Sequence, residues 1–148
     1  TQAPTTRLSA ARMIINLKMR FFIELLRGTR LAYYNNTVMD WQSQITNELD
    51  RAEAARRTGN EGQARVCARR AAGIAIREYL GRRGLPARNP SAYELLQLVA
   101  DLPDAPPDAR QAAVILTLRV TESFTLPVDA DLIEEAWRLC KSLLPEFE

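Results

Sequence analysis

Four arginines in an alanine-rich segment, Arg65, Arg69, Arg70 and Arg77, are the residues of this chain with the clearest chemical use. On a helix, Arg65 and Arg69 stand one turn apart and Arg70 and Arg77 two turns apart, so they edge an alanine face with two basic rows. A guanidinium fork matches phosphate oxygens, which suits RNA or a nucleotide. The same fork matches a carboxylate, and Asp101, Asp104, Glu134 and Glu135 are the candidate partners inside the fold. Internal pairing is the expected arrangement.

The 148 residues include no histidine and only two cysteines, Cys67 and Cys140. Ser-His and Cys-His nucleophile pairs are therefore excluded, as are the usual zinc constellations. No metal or cofactor is expected. Both cysteines fall within helical patterns among apolar neighbours, the environment of a buried free thiol. Glu134 and Glu135, with Asp129 and Asp131, are first-turn acids that complement a helix dipole.

The elements that must position these residues are all helices. Residues 1–8 form a polar, proline-containing lead-in. Ser9 caps a long helix over 9–34, in which Ile14, Leu17, Phe21 and Leu25 form one apolar row and Ile15, Met19, Phe22 and Leu26 a second. A helix this apolar around its girth needs cover on more than one side, from the rest of the domain or from a second chain. Ile15, Met19, Phe22 and Leu26 are thus candidate interface residues.

After the turn residues Asn35, Asn36 and Thr37, a second helix runs to about Thr58, with Val38, Trp41, Ile45, Leu49 and Ala52 on one face and Gly59 at its C-terminal cap. Asn60 caps the arginine-bearing helix, which runs to about Arg83 before Gly81, Gly84, Pro86 and Pro90 break it. Ser91 and Glu94 form a capping box for a short helix to about Ala100. A helix is expected over 107–123, and Asp129 opens the last one, with Leu132, Ile133, Ala136, Trp137, Leu139, Cys140, Leu143 and Leu144 facing inward. Trp41 and Trp137 are expected core anchors. No strand-like alternation competes, so the chain is read as one all-α domain, an up-and-down bundle of five or six helices.

Charge divides along the chain: residues 61–90 carry seven basic and two acidic side chains, and 91–148 carry four and eleven. Arg12, Lys18, Arg20 and Glu24 interrupt the first apolar run too often for a membrane span. A cytoplasmic protein is the expectation.

The segment RRAAGIAIREYL, Arg69 to Leu80, resembles the signature helix of HEPN domains. Ala71, Ala72, Ala75 and Leu80 keep the small and apolar positions, and Arg77 takes the basic one. The loop Gly84-Leu85-Pro86, the run Tyr93-Glu94-Leu95-Leu96 and the last helix with Ala136 and Leu143 come in the expected order. The resemblance spans 36–144 and implies a HEPN-like core preceded by an additional helix.

The chain departs from that pattern where the family's chemistry resides. Gly73 stands where the signature helix usually has glutamate, and the histidine often found before the Leu-rich helix falls near Ala92. Catalytic members carry Arg, a polar residue, then His four to six positions on, usually near the start of the last helix, whereas this chain has Arg119, Glu122 and Thr125-Leu126-Pro127-Val128-Asp129. The resemblance thus implies a non-catalytic module acting as a homodimer or with a partner protein. RNA or nucleotide binding through Arg65, Arg69, Arg70 and Arg77 is the alternative, and a ribonuclease using Arg119, Tyr93 or Glu122 the least expected.

Overall fold

The structure is a computed structural model, and it describes residues 40–85 and 90–148. The lead-in, the helix expected over 9–34, the candidate interface residues Ile15, Met19, Phe22 and Leu26, and the turn at 35–37 lie outside the described residues. Among the described residues, every regular element is a helix: α1 (Trp41–Arg57), α2 (Glu61–Arg82), α3 (Ala92–Asp101), α4 (Pro107–Leu116) and α5 (Leu132–Leu143).

The helix ends follow short-range backbone chemistry. Gly59 adopts φ 77° and Gly84 φ 70°, left-handed conformations that glycine takes without a Cβ penalty. Asn60 N donates to Ala55 O and Gly59 N to Arg56 O, while Leu85 N donates to Leu80 O and Gly84 N to Gly81 O. These paired bonds close α1 and α2 with Schellman caps, satisfying carbonyls that would otherwise be orphaned. At the opposite ends, Asn60 Oδ1 accepts from Gln63 N, and Ser91 and Glu94 complete the capping box of α3. Each such cap contributes about 1 kcal/mol.

Helix α2 is the hub, packing against α1, α3 and α5, and α4 fills the space beside α3 and α5. Its inward face is built of small residues: Ala64, Cys67, Ala68, Ala71, Ala72 and Ala75 are all fully buried. Small side chains let neighbouring backbones approach closely, as at Ala71, whose carbonyl accepts a hydrogen bond from Cys140 Sγ on α5 at 3.9 Å. Larger residues on the surrounding helices, among them Ile45, Leu49, Leu96, Leu116, Ile133 and Leu139, fill the remaining volume. Both cysteines are free and buried, and burial pushes the Cys140 thiol up to about 12.

Three expected boundaries shift. The first described helix starts at Trp41, because Asp40 Oδ1 accepts from Ser43 N at 2.7 Å and caps it there. The last starts at Leu132, because Asp131 rather than Asp129 accepts from Ile133 N and Glu134 N. The largest correction concerns the helix expected over 107–123, which stops at Leu116. Beyond it, Arg69 of α2 bonds the carbonyls of Leu116 and Leu118, and the chain leaves helical geometry to cross to α5.

The tryptophans also sit differently from expectation. Trp41 and Trp137 are half-buried, and the buried ring is Phe147. Phe147 lies 5.2 Å from Trp137 and 6.3 Å from Trp41, ring centre to ring centre. The Arg82 guanidinium lies over Trp41 and the Lys141 ammonium over Trp137. Such aromatic pairs contribute about 0.5–1.5 kcal/mol beyond the area they bury, so this cluster pins residues after α5 to the body of the fold.

Candidate interaction surface

The four arginines singled out in the sequence all lie on α2, but they do not meet the acids expected to pair with them. Arg69 Nε donates to Leu116 O at 2.7 Å and its Nη2 to Leu118 O at 2.9 Å. Arg65 Nη1 donates to Phe124 O at 3.4 Å, and Arg77 Nη2 to Pro90 O at 3.0 Å. Arg70 is exposed. None of the four forms an ion pair among the described residues. Partial burial, reinforced by the nearby charge of Arg65, lowers the Arg69 pKa from its ordinary value.

The carboxylates find other cations. Arg56 grips Asp131 with two hydrogen bonds, of 2.7 and 3.0 Å, and reaches Glu61 through Nε at 3.0 Å. Since Asp131 also caps α5, one guanidinium joins the end of α1 to the starts of α2 and α5. Arg56 holds the Asp131 carboxyl below its usual range, and Asp131 in turn raises the arginine. Arg138 bridges Glu135 of its own helix and Asp108 of α4. The acidic second half is therefore partly satisfied internally, by Arg56, by Arg138 and by Arg82, which pairs with Glu146, and not by Arg65, Arg69, Arg70 or Arg77.

Arg65 and Arg69 instead organise the connection between α4 and α5, residues 117–131. Within it Thr121 N donates to Thr125 O at 2.7 Å and Phe124 N to Thr121 O at 2.9 Å, closing a tight turn. The hydroxyls of Thr121, Ser123 and Thr125 lie 2.8–3.2 Å from one another. At the tip, Phe124 adopts φ 60° and leaves 79% of its surface exposed. Among the described residues it is the single non-glycine in the left-handed region. For a bulky L-residue that conformation costs about 1–2 kcal/mol, and glycine or asparagine would fill it more cheaply.

Apolar exposure accompanies the tip. Val120 and Val128 on the same connection, Val66 on α2 and Tyr93 on α3 are each exposed by more than a third. A shallow groove of about 460 Å³ runs beside it, walled by Arg65 and residues 125–130. No group of three or more metal-ligating side chains occurs among the described residues.

Gly73, which stands where the resembled signature helix usually has glutamate, is closed against α3. A Cβ built on Gly73 would come within 3.1 Å of Ala92 Cβ and 3.4 Å of Ala92 Cα. The helices α2 and α3 touch there without an intervening cleft. Arg119 and Glu122 are exposed on the connection and Tyr93 on α3.

No known protein family, characterised protein or solved structure matches the chain. Sequence reasoning passed over Phe124, Phe147 and the Arg56–Asp131 pair. A lone large aromatic in the polar run Thr121-Glu122-Ser123-Phe124-Thr125 was the signal available for the first. The other two depend on contacts that no local pattern encodes.

Proposed function

We propose that this chain is a non-catalytic, HEPN-like helical module that acts by association, with a second copy of itself or with a partner protein. The observation that carries the reading is Phe124, a large aromatic 79% exposed at the tip of a connection whose backbone is fixed from α2. Folding alone favours neither its conformation nor its exposure, whereas interfaces are enriched in aromatic anchors. The direct packing of Gly73 on Ala92 also supports it, because it fills the place where the resembled family often carries ionisable side chains.

Light scattering over a concentration series, together with incubation of single-stranded and hairpin RNA, tests this reading. Intact RNA and a mass that rises with concentration, or a monomer that binds a peptide ligand, are expected. RNA cleavage that disappears in Arg119→Ala, Tyr93→Phe or Glu122→Gln would overturn it. The alternative, RNA or nucleotide binding, is favoured by one observation: Arg65, Arg69, Arg70 and Arg77 lack carboxylate partners among the described residues. Filter binding that weakens steeply with salt and on neutralising those arginines would establish that alternative.

A further inference from the structure

The geometry points to a docking surface for an acidic peptide segment with apolar anchor residues, centred on Phe124 and bounded by Arg65 of α2. The inference rests on the association reading and names the partner's chemistry.

Three observations define the occupant. First, Phe124 is a projecting ring, so the partner supplies an apolar recess or wraps around it. The backbone that carries the ring is preorganised: its carbonyl accepts from Arg65, its amide donates to Thr121 O, and three mutually bonded hydroxyls hold the turn beneath it. A backbone already held loses little conformational freedom on binding. Second, the groove beside the tip is lined largely by aliphatic groups. Leu126, Pro127, Val128 and Ala130 pack against other side chains and present no flat face on which a base can stack.

Third, the charge is one-sided on α2. Its carboxylates Glu61 and Glu78 are engaged by Arg56 and Arg82, while Arg65, Arg69, Arg70 and Arg77 have no carboxylate among the described residues. Arg65 lines the groove beside the tip. An acidic partner is complementary to this face. A nucleic acid is the poorer match, because it brings phosphates and flat bases but no aliphatic side chain for Leu126, Pro127 and Val128, which line that groove.

Selection of a random displayed peptide library on the immobilised full chain, followed by fluorescence anisotropy of the recovered peptides, tests this surface. Recovered sequences should combine Asp or Glu with aromatic or aliphatic residues. Their affinity should fall about tenfold or more in Phe124→Asn, the size expected for an interface anchor. Arg65→Glu should weaken them further and reduce their salt dependence. Thermal unfolding of Phe124→Asn should occur at or above the wild-type temperature, so that lost binding is not lost folding.

Peptides that bind Phe124→Asn as tightly as the parent, or that are predominantly basic, would overturn the proposed surface and leave the association reading standing. So would a uridine-rich single-stranded RNA that binds in a Phe124-dependent manner, which would assign the surface to nucleic acid. Recovery of no peptide, from a chain that stays monomeric and cleaves RNA, would remove both.

Discussion

The helical body around α2 and the connection between α4 and α5 solve opposite problems with the same chemistry. In the body, small residues close the gaps until a glycine and an alanine touch, and large apolar groups are covered. In the connection, a phenylalanine is exposed in a conformation that favours glycine, yet both its amide and its carbonyl are hydrogen-bonded. Arg65 and Arg69 link the two, spending side-chain donors of α2 on carbonyls at residues 116–124. A surface segment that is hydrogen-bonded yet locally unfavourable is consistent with the proposed role in association.

The contrast breaks first if the body tolerates truncation. Leu139 is fully buried on α5, and Leu139→Ala should cost about 2–5 kcal/mol, read from the midpoint of urea unfolding. A cost below about 1 kcal/mol would show a body as loosely packed as its surface. Next in size is the brace. Arg69→Ala leaves the carbonyls of Leu116 and Leu118 without that donor, and should cost about 1–3 kcal/mol. Hydrogen exchange should rise at residues 117–124 more than within α5. Arg69→Lys should rescue this poorly, because an ammonium lacks the planar fork that reaches both carbonyls.

Smaller again is the Arg56–Asp131 pair, about one-third exposed on each side, which limits its worth to about 1 kcal/mol. Arg56 lowers the folded-state pKa of Asp131 below its ordinary 3.8, so the unfolded chain takes up that proton first as acid is added. The pair's contribution is therefore fully present above about pH 4, and it is lost as pH falls through the depressed folded value. Asp131→Asn should lower stability at neutral pH and flatten this part of the acid dependence. An unchanged acid slope in urea melts of the variant would assign the acid sensitivity to other carboxylates.

How much of this was legible in the sequence follows from range. Gly59, Asn60, Gly84 and the Ser91–Glu94 box act within a few residues, and each occurs at the helix end its residue type announced. The alanine face of α2 and the inward positions of α5 followed from helical spacing, but Val66 on α2 is exposed and Trp137 on α5 half-buried, its ring stacked on Phe147. The end of α4 was not legible. Residues 117–123 do not forbid a helix, and the arginine that receives the chain at Leu116 lies 47 positions away. The same applies to Arg56 and Asp131, 75 residues apart and joined only by the packing of α1 against α5. Charge asymmetry correctly announced ion pairing across the fold but named the wrong arginines.

The central claim is that Phe124 is placed for a partner and not for the stability of its own chain. The unfolding free energy of Phe124→Asn, measured beside the parent in urea, tests that claim most directly. Asparagine relieves the left-handed backbone while the hydrogen bonds of the turn, all made by the main chain at this position, are kept. The variant should be as stable as the parent or more so, by up to about 1 kcal/mol. A loss of about 1 kcal/mol or more would contradict the claim and make Phe124 a structural residue of the fold.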